Sequence, residues 1–199
     1  PADITLPKLD QVIQTALGWT NSHLHEFVIN GTHYAVLDPD WVDDLPHVDE
    51  RRMVLHEALG MGTRCFDYVY DFGDDWHHLV LVEDLYPERP KSASLVQCIG
   101  GENACPPEDV GGTRGYVEFL AAIADPRHEE HQTYLEWVGG SFDPTRFDRA
   151  AVNRALDLPV FFGPFQTWRM ACSGRVDETA FLNSAGVRLP RLECGRTSL

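Results

Sequence analysis

Residues 66–82, FDYVYDFGDDWHHLVLV, decide how this chain is read. Phe66, Tyr68, Tyr70 and Phe72 fall on alternate positions of one run, and Trp76, His78, Val80 and Val82 do the same in the next. A period of two is the signature of a strand with one face turned inward. Gly73, Asp74 and Asp75 between the runs are turn formers, so the segment predicts two strands joined by an acidic corner.

Upstream, His25–Ile29 and Thr32–Val36 flank Asn30-Gly31, the dipeptide best suited to the positive φ angles of a tight hairpin. Before it, Leu9, Val12, Ile13, Ala16 and Leu17 recur at helical spacing, with Pro7 near the start and Gly18 at the stop. Residues 38–51, with Pro39, Pro46 and many aspartates, read as a solvated loop. Downstream, CIGGENACPPEDVGGTRGY crowds Cys98, Cys105, Pro106, Pro107 and several glycines into one loop. Helices are expected at Tyr116–Ala124, from Asp125-Pro126 through Tyr134, Leu135 and Trp137 to Gly139-Gly140, and at Asp148–Leu156. The pattern weakens beyond Pro159, and residues 158–199 read as a C-terminal appendage to a domain at 1–157.

A chain of 199 residues with 43% hydrophobic content supports one substantial core, so one domain plus a tail is expected. No apolar run reaches the roughly 20 residues of a membrane span, and no export signal is recognisable, so a cytoplasmic protein is expected. Five cysteines form an odd, sparse set, unlike a secreted disulfide framework. The formal charge of -15, with scattered arginines and two lysines, Lys8 and Lys91, argues against direct nucleic-acid binding.

Several familiar signatures fail on chemistry. Asp71-Phe72-Gly73 spells a kinase magnesium triplet, but no accompanying Gly-rich loop or catalytic-loop signature is present. The glycine-rich stretch lacks the Gly-Lys pair of a phosphate-binding loop. The spacing of Asp71, Asp74 and Asp75 does not fit a calcium loop. His128-Glu129-Glu130-His131 sets its histidines three apart rather than the four of a zincin helix, and reads as an exposed helix face.

The pattern that does carry chemistry is a transition-metal set. His23 and His25 are two apart, so on an extended segment their rings project from one face about 7 Å apart. Strand pairing can bring His78 alongside, and Cys98 and Cys105 bracket the glycine loop. Two imidazoles and two thiolates suit tetrahedral zinc, so His25, His78, Cys98 and Cys105 are the candidate ligands, with His23 as the alternative. The ordinary reading of each is a histidine satisfied by a carboxylate or backbone group and a cysteine packed as a small apolar residue.

LGWTNSHLHEF, YDFGDDWHH, CIGGENACPPEDVGGTRGY and WVGGSFDPTRFD, taken together and in this order, resemble the plasmid pRiA4b Orf-3-like family over about residues 1–156. The resemblance implies an α+β roll, with a mixed or mostly antiparallel sheet packed against helices, and an association with plasmids and insertion sequences. It also implies a strand ahead of PADITL that is missing here. It names no reaction.

Two function classes are therefore carried forward. The first is a non-catalytic interaction module in which an acidic face and an aromatic groove, made of Trp19, Phe27, Tyr70, Phe72 and Trp76, take a protein or peptide partner. The second is a metal-dependent, hydrolase-like enzyme in which a bound ion activates water and Asp74, Asp75, Glu108 or Asp109 acts as general base. A recombinase is rejected: no serine set among arginines and no basic DNA-binding extension is present.

Overall fold

Asn30-Gly31 forms the expected tight turn, with φ of 54° and 76°, and joins β1 (His25–Ile29) to β2 (Thr32–Ala35). The second predicted pair forms as β4 (Cys65–Tyr70) and β5 (Trp76–Leu81), again antiparallel, with Tyr70 opposite Trp76. β1 pairs antiparallel with β4, setting Phe27 opposite Tyr68, and so the two hairpins fuse into one sheet. In a computed structural model that describes residues 4–37, 46–83 and 96–157, with the backbone of a strand at Arg169–Cys172, the order is β3-β2-β1-β4-β5. β3 (His47–Asp49) runs parallel to β2, making the sheet mixed. The fold class is α+β, with an open, mostly antiparallel sheet and helices packed against it.

The inner face of this sheet is made by alternate residues: Phe27 and Ile29 from β1, Tyr34 from β2, Phe66, Tyr68 and Tyr70 from β4. Against it lies α1 (Leu6–Leu17), which buries Leu6, Leu9, Val12, Ile13 and Ala16 and ends where Gly18 turns left-handed at φ 88°. Each fully buried aliphatic side chain contributes about 1.5–3 kcal/mol, enough to fix which helix face turns inward. The chain then uses backbone bonds to close the end of the core. Leu6 N donates to Met53 O at 2.9 Å and Leu55 N to Ile4 O at 2.8 Å, docking α2 (Leu55–Leu59) beside the start of α1.

α3 (Gly112–Ala124), α4 (His131–Trp137) and α5 (Arg149–Leu156) follow the cysteine-glycine loop. α5 lies against α1 and β6 (Gln97–Gly101), and Asn153 pins β6 with both ends of its amide. Its Oδ1 accepts from Cys98 N at 2.8 Å and its Nδ2 donates to Cys98 O at 2.9 Å. β6 pairs in parallel with β7 (Arg169–Cys172), a separate two-stranded sheet. Among the described residues no helix is long and apolar enough to cross a membrane.

Several local expectations change. The loop expected at 38–51 contains β3 and a 3-10 turn, Glu50–Arg52, because Asp49 accepts from Arg51 N and starts that turn; residues 38–45 lie outside the described set. The first strand of the 66–82 pair ends at Tyr70 rather than Phe72, since Asp71 takes a positive φ of 56° and leaves Phe72 39% exposed. The helix expected from Asp125-Pro126 begins only at His131, because Asp125 Oδ1 accepts from Arg127 N and closes a local turn first. Of the residues expected to wall an aromatic groove, Phe27, Tyr70 and Trp76 are core residues and Phe72 is exposed, which leaves Trp19, itself largely buried, as the one that lines a cleft.

Candidate functional site

Three segments meet at one corner: the turn after α1, the β4–β5 turn, and the loop into α3. Tyr70 is at its centre. Its hydroxyl accepts from Ser22 N at 3.0 Å and His23 N at 3.3 Å, and donates to Glu108, whose two oxygens lie 3.2 and 3.1 Å away. Burial, opposed by the two backbone donors and reinforced by the Glu108 carboxylate, pushes the phenol up to about 12, so it stays protonated and keeps donating. Glu108 Oε1 also accepts from Thr20 N at 2.8 Å and the Thr20 hydroxyl at 3.1 Å.

His23 faces the same carboxylates. Its Nε2 lies 3.0 Å from Asp109 Oδ1, 3.6 Å from Asp71 Oδ2 and 3.7 Å from Glu108 Oε2. That nitrogen is shielded from solvent, yet none of these contacts has hydrogen-bond geometry. Asp71 is held by its own turn, its Oδ1 accepting from Gly73 N at 3.0 Å and Asp74 N at 3.3 Å. Asp74 in turn braces the opposite loop, Oδ2 accepting from Gly111 N at 3.0 Å. The close approach explains Gly112, whose Cβ would lie 2.5 Å from Asp74 O; a Cβ on Gly115 would meet its own loop, 1.9 Å from Val110 O. Asn21, Asp71, Asp75 and Asp109 all have positive φ here, a conformation Asn and Asp tolerate better than other side chains.

Beside this corner opens a cleft of about 360 Å³, lined by Trp19, Pro106, Pro107, Glu108, Trp137 and Phe142 among others. Trp19 stacks on Tyr70 with ring centroids 4.8 Å apart and donates its indole N–H to Pro106 O at 2.9 Å. The Pro106-Pro107 wall is thereby tied to the core. Glu108 belongs to both the cleft and the polar corner.

The four residues proposed as metal ligands from the sequence are not among the clusters whose ligand atoms lie within 4.8 Å of one another. His25 instead bridges two buried carboxylates, Nδ1 3.4 Å from Asp10 Oδ1 and Nε2 3.1 Å from Glu50 Oε1. Burial pulls this imidazole down, but the Glu50 hydrogen bond and the charges of Asp10 and Glu50 outweigh it and hold the ring above its ordinary value. His78 lies on the other side of Tyr68, 5.6 Å between ring centroids, with Nδ1 donating to Tyr68 O at 3.2 Å. Burial pulls its imidazole below the ordinary value. Cys98 Sγ donates to Gly100 O at 3.2 Å on β6, and Cys105 lines the cleft.

Of the acidic candidates, Glu108 and Asp109 reach the corner, Asp74 braces it, and Asp75 contacts His77 at 2.9 Å on the exposed surface. His23, the alternative ligand, is the histidine at the corner. Asp71 was not among the sequence candidates, and Tyr70 was expected there only as a wall of an aromatic groove. Asp71 lay within the rejected kinase-like triplet, and its position directly after an alternating aromatic strand is the signal that could have found it. Among the described residues two groups could hold a metal ion: His23, Asp71 and Asp109, and, elsewhere, Glu26, His33 and His47.

The segments that build this corner lie within the match to the family model for plasmid pRiA4b ORF-3-like protein, which covers residues 1–151. The chain belongs to this family. Uncharacterized protein y4hQ of Sinorhizobium fredii is 41% identical over 159 residues, spanning 79% of this chain and 80% of that one. A crystal structure of a protein of unknown function from Methanosarcina mazei Go1 is similar with a TM-score of 0.60 and 31% identity, covering 75% of this chain and 84% of that one. Both are similar in sequence, and the second carries the same fold class to an archaeal relative. Chemically, the three carboxylates surround the His23 imidazole, and one of them, Glu108, also stands beside the apolar surfaces of Trp19, the prolines and Trp137.

Proposed function

We propose that this protein is a non-catalytic interaction module that takes an arginine- or lysine-bearing peptide segment in the Trp19–Trp137 cleft. The observation that carries the reading is the position of Glu108, a carboxylate fixed by Tyr70 and Thr20 that lines the apolar cleft and lies 3.7 Å from the His23 imidazole. Aromatic and proline walls next to fixed negative charge suit a side chain with an apolar stem and a cationic head. The formal charge of -15 adds long-range attraction for a basic partner and repulsion for a phosphate backbone.

A metal-dependent, hydrolase-like reading is favoured by a different observation, the convergence of His23, Asp71 and Asp109 donor atoms within 4.8 Å. Glu108, 3.7 Å from His23 Nε2, would be the general base beside such an ion. A fluorescence screen of arginine- and lysine-rich peptides against their glutamate-substituted counterparts tests the leading reading. It expects binding by the basic set, a change in tryptophan emission and weakening by salt. Equal binding of both sets, or preference for the acidic one, would overturn it.

A further inference from the structure

Away from the cleft, on the sheet face opposite α1, β1, β2 and β3 bring together Glu26, His33 and His47. The strand register explains why. His33 lies opposite Val28 on β1, so Glu26 is its diagonal neighbour, and His33 lies directly opposite His47 on the parallel β3. Diagonal and direct neighbours on one sheet face are within reach of long side chains. Glu26 Oε2 is 2.8 Å from His33 Nδ1 and 3.3 Å from His47 Nε2, and the two imidazoles meet edge-on with centroids 5.6 Å apart.

We infer that this trio is a divalent transition-metal site of the zinc class. Two imidazoles and one carboxylate are a donor set suited to zinc and its neighbours. The spacing fits. With bonds of about 2.0–2.1 Å, the edge of a tetrahedron is about 3.3 Å, which the Glu26–His47 pair already has, and the Glu26–His33 pair needs to open by only a few tenths of an ångström. The trio is also partly enclosed, the side chains of His47, Glu26 and His33 being 7%, 16% and 27% exposed. Because all three donors stand on paired strands rather than on loops, the site is held before an ion arrives. The corner at His23 offers one imidazole and is acid-rich, so zinc favours the strand site.

The test is calorimetric titration of the chelator-treated full chain with zinc, paired with cobalt(II) as a spectroscopic probe. One zinc per chain is expected, with visible cobalt bands of tetrahedral strength. His33→Ala and His47→Ala should each weaken zinc by about 100-fold or more, beyond the loss expected for an outer ligand, while His23→Ala leaves the affinity unchanged. If an alanine variant does not fold, as judged by circular dichroism, Glu26→Gln carries the test, since it keeps size and a hydrogen-bonding oxygen while removing the charged ligand. No zinc binding at micromolar concentration, an affinity unmoved by Glu26→Gln, or loss of zinc in His23→Ala would each overturn the site.

Discussion

The Tyr70 hydroxyl lies 3.1 and 3.2 Å from the two carboxylate oxygens of Glu108, across 38 residues of sequence. That contact joins the sheet to the loop that lines the cleft. The same hydroxyl receives the backbone N–H groups of Ser22 and His23, so one phenol fixes three segments.

Tyr70→Phe keeps the ring that stacks on Trp19 and removes only the hydroxyl. Two backbone donors lose their partner, while Glu108 keeps Thr20, and leaving such donors unpaired costs about 1–3 kcal/mol. Urea denaturation should show a lower midpoint with an unchanged slope; a midpoint equal to the parent's would mean that the hydroxyl does not organise the corner.

Gly115→Ala should be among the most damaging single-methyl changes in the chain. Its Cβ would meet Val110 O at 1.9 Å, a backbone atom that cannot rotate away, and overpacking of this kind costs about 1–3 kcal/mol or more. Gly100→Ala serves as the control, because nothing lies within 4 Å of its added methyl. Thermal melts of the two variants should differ by several degrees; equal melting temperatures would contradict the packing described.

His25 and His78 flank Tyr68 and should titrate on opposite sides of the ordinary histidine value of 6.5. His25 is raised, so the stability it contributes is complete below 6.5 and is lost as pH climbs through its folded value. His78 is lowered, so its contribution is present above 6.5 and is lost as pH falls toward its folded value. Ring-proton NMR titration reads both directly. His25→Gln should remove the loss of stability on the alkaline side and keep the loss on the acid side; an unchanged pH profile would show that Asp10 and Glu50 do not hold a charged imidazole.

The architecture was legible where the signal is local. The Phe66–Val82 alternation and the Asn30-Gly31 turn gave both hairpins, since side-chain period and turn chemistry act over a few residues. β3 was not legible: its three residues carry no period of their own, and their strand state comes from pairing with β2. The site was legible in part. The His23 segment, the Asp71–Asp75 corner and the Pro106–Asp109 loop do meet, but which histidine faces the carboxylates depends on strand phase. His25 falls on the inner face with Phe27 and is taken up by Asp10 and Glu50, while His23 precedes the strand and turns toward Asp109. The Glu26–His33 proximity follows from the hairpin register, whereas His47 joins them through a parallel pairing that no short-range pattern announces.

The most direct measurement compares the affinity of one arginine-bearing peptide, chosen from the basic set, for the parent chain and for Glu108→Gln by isothermal titration calorimetry. Glutamine keeps the shape of the cleft and an oxygen for Tyr70 to donate to, and removes the charge. Loss of one charge-assisted contact predicts a weakening of about 10–100-fold, with a shallower dependence on salt. Equal affinity and equal salt dependence in the two proteins would contradict the account.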